Sequence, residues 1–107
     1  MKRGEIWWVD FEPALGSEIK KVRPAVIVSN DAANANAPRI QVVPLSSRVD
    51  KLFVFESHVH VRGKPGKAMA DQIMTADKRR LKTRIGKTST SEMQDIERAI
   101  RVQLALV

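Results

Sequence analysis

The chain has 107 residues, 43% hydrophobic and 29% charged, a balance that fits one folded domain (1–107) and excludes a disordered chain. It has no cysteine, which excludes a disulfide framework and a thiolate metal site, and no apolar run near the roughly 20 residues that span a bilayer. Its formal net charge is +7, a bias that favours polyanionic partners over basic ones.

Taken in chain order, Met1–Glu5 lacks the apolar stretch of a secretory leader, so the reading is of a soluble, cytoplasmic protein with no membrane partner. Glu5 to Phe11, rich in Trp and Val, predicts a first strand. Trp7 and Trp8 are adjacent and point to opposite faces of it, one toward the core, the other toward a base or a partner subunit. Pro13 and Gly16 punctuate a loop to Lys21. Pro24 to Ser29 predicts a second strand; its uninterrupted run Ala25–Val28 reads as buried on both faces, with Arg23 at its mouth. Asn30 to Pro38 predicts a turn region, and Ile40 to Leu45 a third strand that Pro44 marks as an edge or a bulge.

Phe53 to Val61 alternates, with Phe53, Phe55, Val59 and Val61 on one face and Glu56, His58 and His60 on the other. Gly63–Gly66 predicts a turn, Ala68–Met74 a fifth strand, and Thr75 the cap of a short helical turn around Asp77–Leu81. Ser89-Thr90-Ser91-Glu92 has capping-box spacing and opens a helix with Met93, Ile96, Ile100, Leu104 and Val107 on one stripe. The fold class is mainly β with a C-terminal helix: a small antiparallel sheet curled into a partly open barrel.

The charge has a location. Arg62 to Lys87 carries nine Lys or Arg against two Asp, and the remainder of the chain is balanced. Such a segment can steer a polyanion, or simply form a solvated face. Metal-free RNA cleavage needs a group that stabilises charge on the phosphate oxygens as the 2′-hydroxyl attacks. Arg23 offers a planar fork of donors, Ser46 a hydroxyl, and Glu18 a proton acceptor or base reader. Taken singly, a strand-entry arginine is more often an ion-pair partner, and a serine at a strand end a turn residue. Glu56, His58 and His60 have a spacing that can hold a transition metal or form an acid–base pair; the plainer reading is a solvated strand face. Lys78–Arg84 is either a phosphate contact or a solvated turn of helix.

Arg3–Asp10, Pro13, Gly16-Ser17-Glu18, Arg23–Asp31, Val42–Ser47, Asp71-Gln72-Ile73, Asp77–Leu81 and Gly86-Lys87 follow one another along nearly the whole chain. Together they resemble the MazF/PemK family of toxin endoribonucleases. The resemblance implies an SH3-like barrel with a C-terminal helix, assembled as a homodimer, that cuts single-stranded mRNA sequence-specifically without a cofactor. The cut would leave a 2′,3′-cyclic phosphate and a 5′-hydroxyl. It implies Arg23 as the catalytic arginine and Ser46 at the position of a catalytic threonine. Ser17 and Glu18 fall in the loop that lies on the RNA, Ser47 follows the catalytic hydroxyl, and Asp71 and Gln72 match a base-contacting pair. The implied partner is an antitoxin with an acidic tail. Ser46 departs from the family pattern: the hydroxyl is kept, but the methyl that restricts its rotamer is gone. The alternatives are a gyrase-poisoning toxin of the same fold, which needs neither Arg23 nor Ser46, and a barrel that binds single-stranded RNA without cutting it.

Overall fold

Alternation of branched side chains sets up two apolar faces on one bent sheet. The computed structural model describes residues 1–107. Its strands are β1 (Glu5–Asp10), β2 (Val22–Ile27), β3 (Arg39–Ser46), β4 (Glu56–Val61), β5 (Lys64–Met69), β6 (Met74–Asp77) and β7 (Leu81–Lys87). Two helices complete it: α1 (Asp31–Asn36) and α2 (Thr90–Leu104). The strands are antiparallel in the order β4-β5-β3-β2-β1-β7, and β6 pairs with β3. The sheet curls into a half-barrel closed by α2. No helix is long and apolar enough to cross a membrane.

Neighbouring residues divide between two cores, as the period of a strand requires. Val9, Ala25, Ile27, Ile40 and Val42 pack into one; Ile6, Val26, Val43, Leu45 and Val59 pack into the other, beneath Ile96 of α2. The run Ala25–Ile27 is indeed covered on both sides, while Val28 is half-buried. Trp7 packs against the first core; Trp8 is exposed.

Pro44 is fully buried in a central strand. On one side it pairs with Ala25. On the other, β6 accompanies β3 only as far as Val42, and β5 joins only at Leu45. The missing N–H falls in the gap between these two partners, where no ladder bond is lost.

Several sequence expectations are corrected. Asn30–Pro38 contains a helical turn, α1, because the Asn30 side chain accepts the Ala33 N–H at 2.8 Å and caps it. The strand expected from Phe53 begins only at Glu56. The hairpin turn is Arg62-Gly63, so Lys64–Gly66 is strand. The fifth strand ends at Met69; a 3₁₀ turn over Ala70–Gln72 separates it from β6. Thr75 lies in β6, and Asp77 is the residue that caps the turn at Lys78–Arg80. Leu81–Lys87 is a strand with charged residues on its open edge, a composition that reads as a solvated turn. The Ser89–Glu92 capping box is present in both directions, but Leu104 and Val107 are exposed, and Ala99 is buried among the residues of the helix stripe.

Candidate active site groove

Arg23 and Ser46 are 23 positions apart in the chain, yet the β2–β3 register brings them to one level. Its last pair is Ala25 with Pro44, and two further steps along each strand reach Arg23 and Ser46. Residues two apart share a face, so the two side chains are directed alike. Both line a groove of about 790 Å³, together with Trp8, Ser47, Arg48, Arg62 and Lys64. Its apolar lining includes Leu45, Val61, Met69 and Ile85. β5 closes in tightly beside Ser46: a Cβ on Gly66 would lie 3.1 Å from the Ser46 carbonyl oxygen and 3.3 Å from that of Val59, so a larger residue would press the backbone of both neighbouring strands aside by a few tenths of an ångström.

The groove is cationic throughout. Arg23, Arg48, Arg62 and Lys64 line it, and no carboxylate does. None of these four cations has a protein partner for its charged group, whether by hydrogen bond or by ion pair. Unanswered positive charge in a concavity with apolar walls focuses potential toward an anion. The guanidinium forks match phosphate oxygens in a bidentate manner, and the exposed Trp8 ring offers a stacking surface.

Ser46 is held although it lacks the methyl of threonine. Its Oγ accepts the Arg48 N–H at 3.1 Å, which fixes the oxygen while leaving the hydroxyl proton free to donate into the groove. A backbone amide thus does the restricting that a β-branch would otherwise do.

The remaining expected site residues lie off the groove wall. Ser17 and Glu18 are on the exposed loop between β1 and β2. The Glu18 carboxylate accepts the Leu15 N–H at 2.6 Å and braces that loop from within. Gln72 braces it from outside, its Oε1 accepting the Ile19 N–H at 3.3 Å; Ile19 itself reaches the groove. Asp71 sits on the 3₁₀ turn, its carboxyl raised above the ordinary aspartate value first by burial and then by the charge of Glu56. The structure therefore joins Arg23, Ser46 and Ser47, and leaves Ser17, Glu18, Asp71 and Gln72 as its surround.

The basic segment proves to be mostly engaged in holding the fold. Lys67 is buried against Glu56 at 3.1 Å. Lys78 donates to the Asn34 carbonyl, and Arg80 to the carbonyls of Asp10 and Glu12. Arg79 pairs with Asp77 at 2.9 Å and Arg84 with Glu5 at 3.3 Å. Of the nine, only Arg62 and Lys64 face the groove. Arg62 and Lys64 fall within the basic segment, but nothing in their sequence context separates them from its other seven cations, and Arg48 lies outside it. A two-residue hairpin at Arg62-Gly63 was the one available signal, and the prolines and glycines that follow obscured it. Glu56 turns inward to Lys67 and His60 toward Glu92, with Nδ1 3.3 Å from Oε2, so the strand face that carries His58 holds no cluster of three such ligands.

The family described as PemK-like, MazF-like toxin of type II toxin–antitoxin system matches residues 2–104. Endoribonuclease MazF9 of Mycobacterium tuberculosis is 41% identical over 115 residues, which cover 99% of this chain and 98% of that protein. Among solved structures, MazF of Deinococcus radiodurans superposes with a TM-score of 0.87 at 24% identity, covering 98% of this chain and 96% of that one. An endoribonuclease from a mycobacterial species, solved in complex with its cognate antitoxin, gives 0.84 at 23%, covering 100% and 97%. These two likenesses establish a shared fold.

Proposed function

We propose that this chain, which belongs to the PemK-like, MazF-like toxins of type II toxin–antitoxin systems, is an endoribonuclease that cuts single-stranded RNA in the groove between Arg23 and Ser46. The observation that carries this reading is an unpaired guanidinium level with an oriented hydroxyl in a groove free of acidic residues. The RNA 2′-hydroxyl attacks the adjacent phosphorus, and negative charge gathers on the non-bridging oxygens. Arg23 answers that charge with two parallel donors. Ser46 donates to the same oxygens. As the 2′-oxygen loses its proton to solvent, the bond to the 5′-oxygen of the next nucleotide breaks and that oxygen takes a proton from solvent, leaving a 2′,3′-cyclic phosphate and a 5′-hydroxyl. Arginine holds its proton too firmly to serve as the base. Charge stabilisation and hydrogen bonding are what these residues supply, and neither calls for a cofactor.

The loop carrying Ser17 and Glu18, held by Gln72, and the turn carrying Asp71 would lie along the bases and read them. The same cationic groove suits an acidic antitoxin segment, and the mycobacterial endoribonuclease of like fold was solved in complex with its cognate antitoxin. Assembly as a homodimer and action on cytoplasmic mRNA complete the reading that the resemblance implies. The test is incubation with a long single-stranded RNA, with and without excess EDTA, followed by mapping of the ends. Discrete cuts with cyclic-phosphate ends are expected in both. Arg23→Ala is expected to lower the rate about 10²- to 10³-fold at unchanged circular dichroism; Ser46→Thr keeps activity and Ser46→Ala loses most of it. Normal cutting by Arg23→Ala removes the assigned site. No cutting by any form, with growth arrested when the chain is expressed in cells, points to the gyrase-directed alternative; binding without cutting points to the passive RNA-binding barrel.

A further inference from the structure

Val61 pairs with Lys64, so the β4–β5 hairpin turns in only two residues, Arg62 and Gly63. Both have positive φ, 52° and 77°. Such a turn favours Asn-Gly, since asparagine tolerates this backbone and most side chains do not. An arginine here is against the local preference of the backbone, and no protein partner rewards it: its guanidinium makes no hydrogen bond or ion pair within the chain. It lies instead on the groove that holds Arg23 and Ser46, beside Lys64, which is equally unpaired. The ladder continues through His60 with Pro65 and Val59 with Gly66, so the strands position the turn that carries Arg62 at the groove.

We infer that Arg62 and Lys64 form a second phosphate-binding subsite, which grips the RNA backbone at a phosphate flanking the one that reacts at Arg23. This rests on the reading of the groove as an RNA site. Turn chemistry is sacrificed at Arg62 so that a planar donor fork stands at one wall of the groove, opposite no competing carboxylate. A backbone contact of this kind sets the register of the strand without reading its bases.

The test separates side chain from turn. Arg62→Asn creates the preferred Asn-Gly pair, so the melting temperature holds or rises. Binding is measured with a fluorescent single-stranded RNA carrying 2′-O-methyl groups, which lacks the attacking hydroxyl, from about 50 to about 300 mM salt. Loss of one phosphate contact is expected to weaken Kd about three- to tenfold at low salt and to reduce the slope of log Kd against log salt by about 0.7. Lys64→Gln gives a similar loss, Arg62→Lys restores most of the affinity, and the preferred cleavage sequence on unmodified RNA does not change. Wild-type affinity and slope in Arg62→Asn overturn the subsite while leaving the groove an RNA site. Retained RNA binding with lost binding of polyglutamate assigns Arg62 to an acidic protein instead. If the wild-type protein binds no RNA, the reading of the groove falls, and this role with it.

Discussion

The buried ion pair beneath the groove makes the sharpest stability prediction. Lys67 Nζ lies 3.1 Å from Glu56 Oε1, with side-chain exposures of 11% and 5%. The ammonium also donates to the Lys51 carbonyl at 3.0 Å, and the same carboxylate oxygen accepts the Phe53 N–H at 3.0 Å. Lys67→Met has nearly the same length but leaves the carboxylate buried with a single amide donor. Stranding one member of a buried pair costs about 3–5 kcal/mol. A chain of this size unfolds with an entropy of roughly 0.22 kcal/mol/K, so the melting temperature should fall by about 13–22 °C. Because Lys67 stands opposite Ser46 in the β3–β5 ladder and clamps Lys51 in the following loop, exchange of the Arg48 amide should rise as well. The assay is urea and thermal unfolding by circular dichroism of wild type, Lys67→Met, Glu56→Met and the double variant. The double variant should recover most of the loss, since an apolar pair leaves no charge stranded. A penalty for Lys67→Met under about 1 kcal/mol, the range of a surface pair, with additive single and double variants, would refute the reasoning.

Two other predictions concern the caps. Asp77 accepts from the Arg79 guanidinium, at 2.9 Å, and from its backbone N–H; these bonds, the guanidinium first, lower its pKa to about 2 from an ordinary 3.8. A depressed folded pKa contributes stability that is complete above the unfolded value and disappears as pH falls through the folded one. The advantage of wild type over Asp77→Asn should therefore be nearly full at pH 5, fall as pH drops toward 2 and disappear only below it, at about pH 1, with NMR titration giving the carboxyl midpoint; a midpoint near 4 would mean that the bonds to Arg79 do not persist. Ser89 accepts the Glu92 N–H at 3.1 Å, while Glu92 accepts the Ser89 N–H at 2.8 Å. Ser89→Ala should lose about 1 kcal/mol, or about 4–5 °C, and Ser89→Asp should restore it; equal melting of all three would show that α2 starts independently of its cap.

Local signals were legible in the chain wherever neighbours in sequence are neighbours in space. The capping box at Ser89, the doubly buried run after Pro24 and the split of Trp7 from Trp8 all follow from residue type and period. Misreadings arose where a partner distant in sequence decides the outcome. Pro44 is tolerated in the middle of the sheet because two other strands leave a gap there, a fact absent from its own neighbourhood. Leu81–Lys87 is a strand because β1 supplies its ladder, although its charges suggest a solvated turn. The size of the net charge is a property of the sequence, but its availability is not: most cations of Arg62–Lys87 meet carboxylates or carbonyls within the fold.

Sequence by itself determined the class of the fold, the family and the residue types that could handle a phosphate, because order of motifs and hydrophobic period are one-dimensional properties. Tertiary structure decided which of those residues meet. Arg23 and Ser46 come level through the β2–β3 register, Arg48 joins them from the loop after β3 and Arg62 and Lys64 from the β4–β5 hairpin, and Glu18 and Gln72 are diverted to holding a loop. Charge acts through space, and only the folded chain determines which cations are left without a partner.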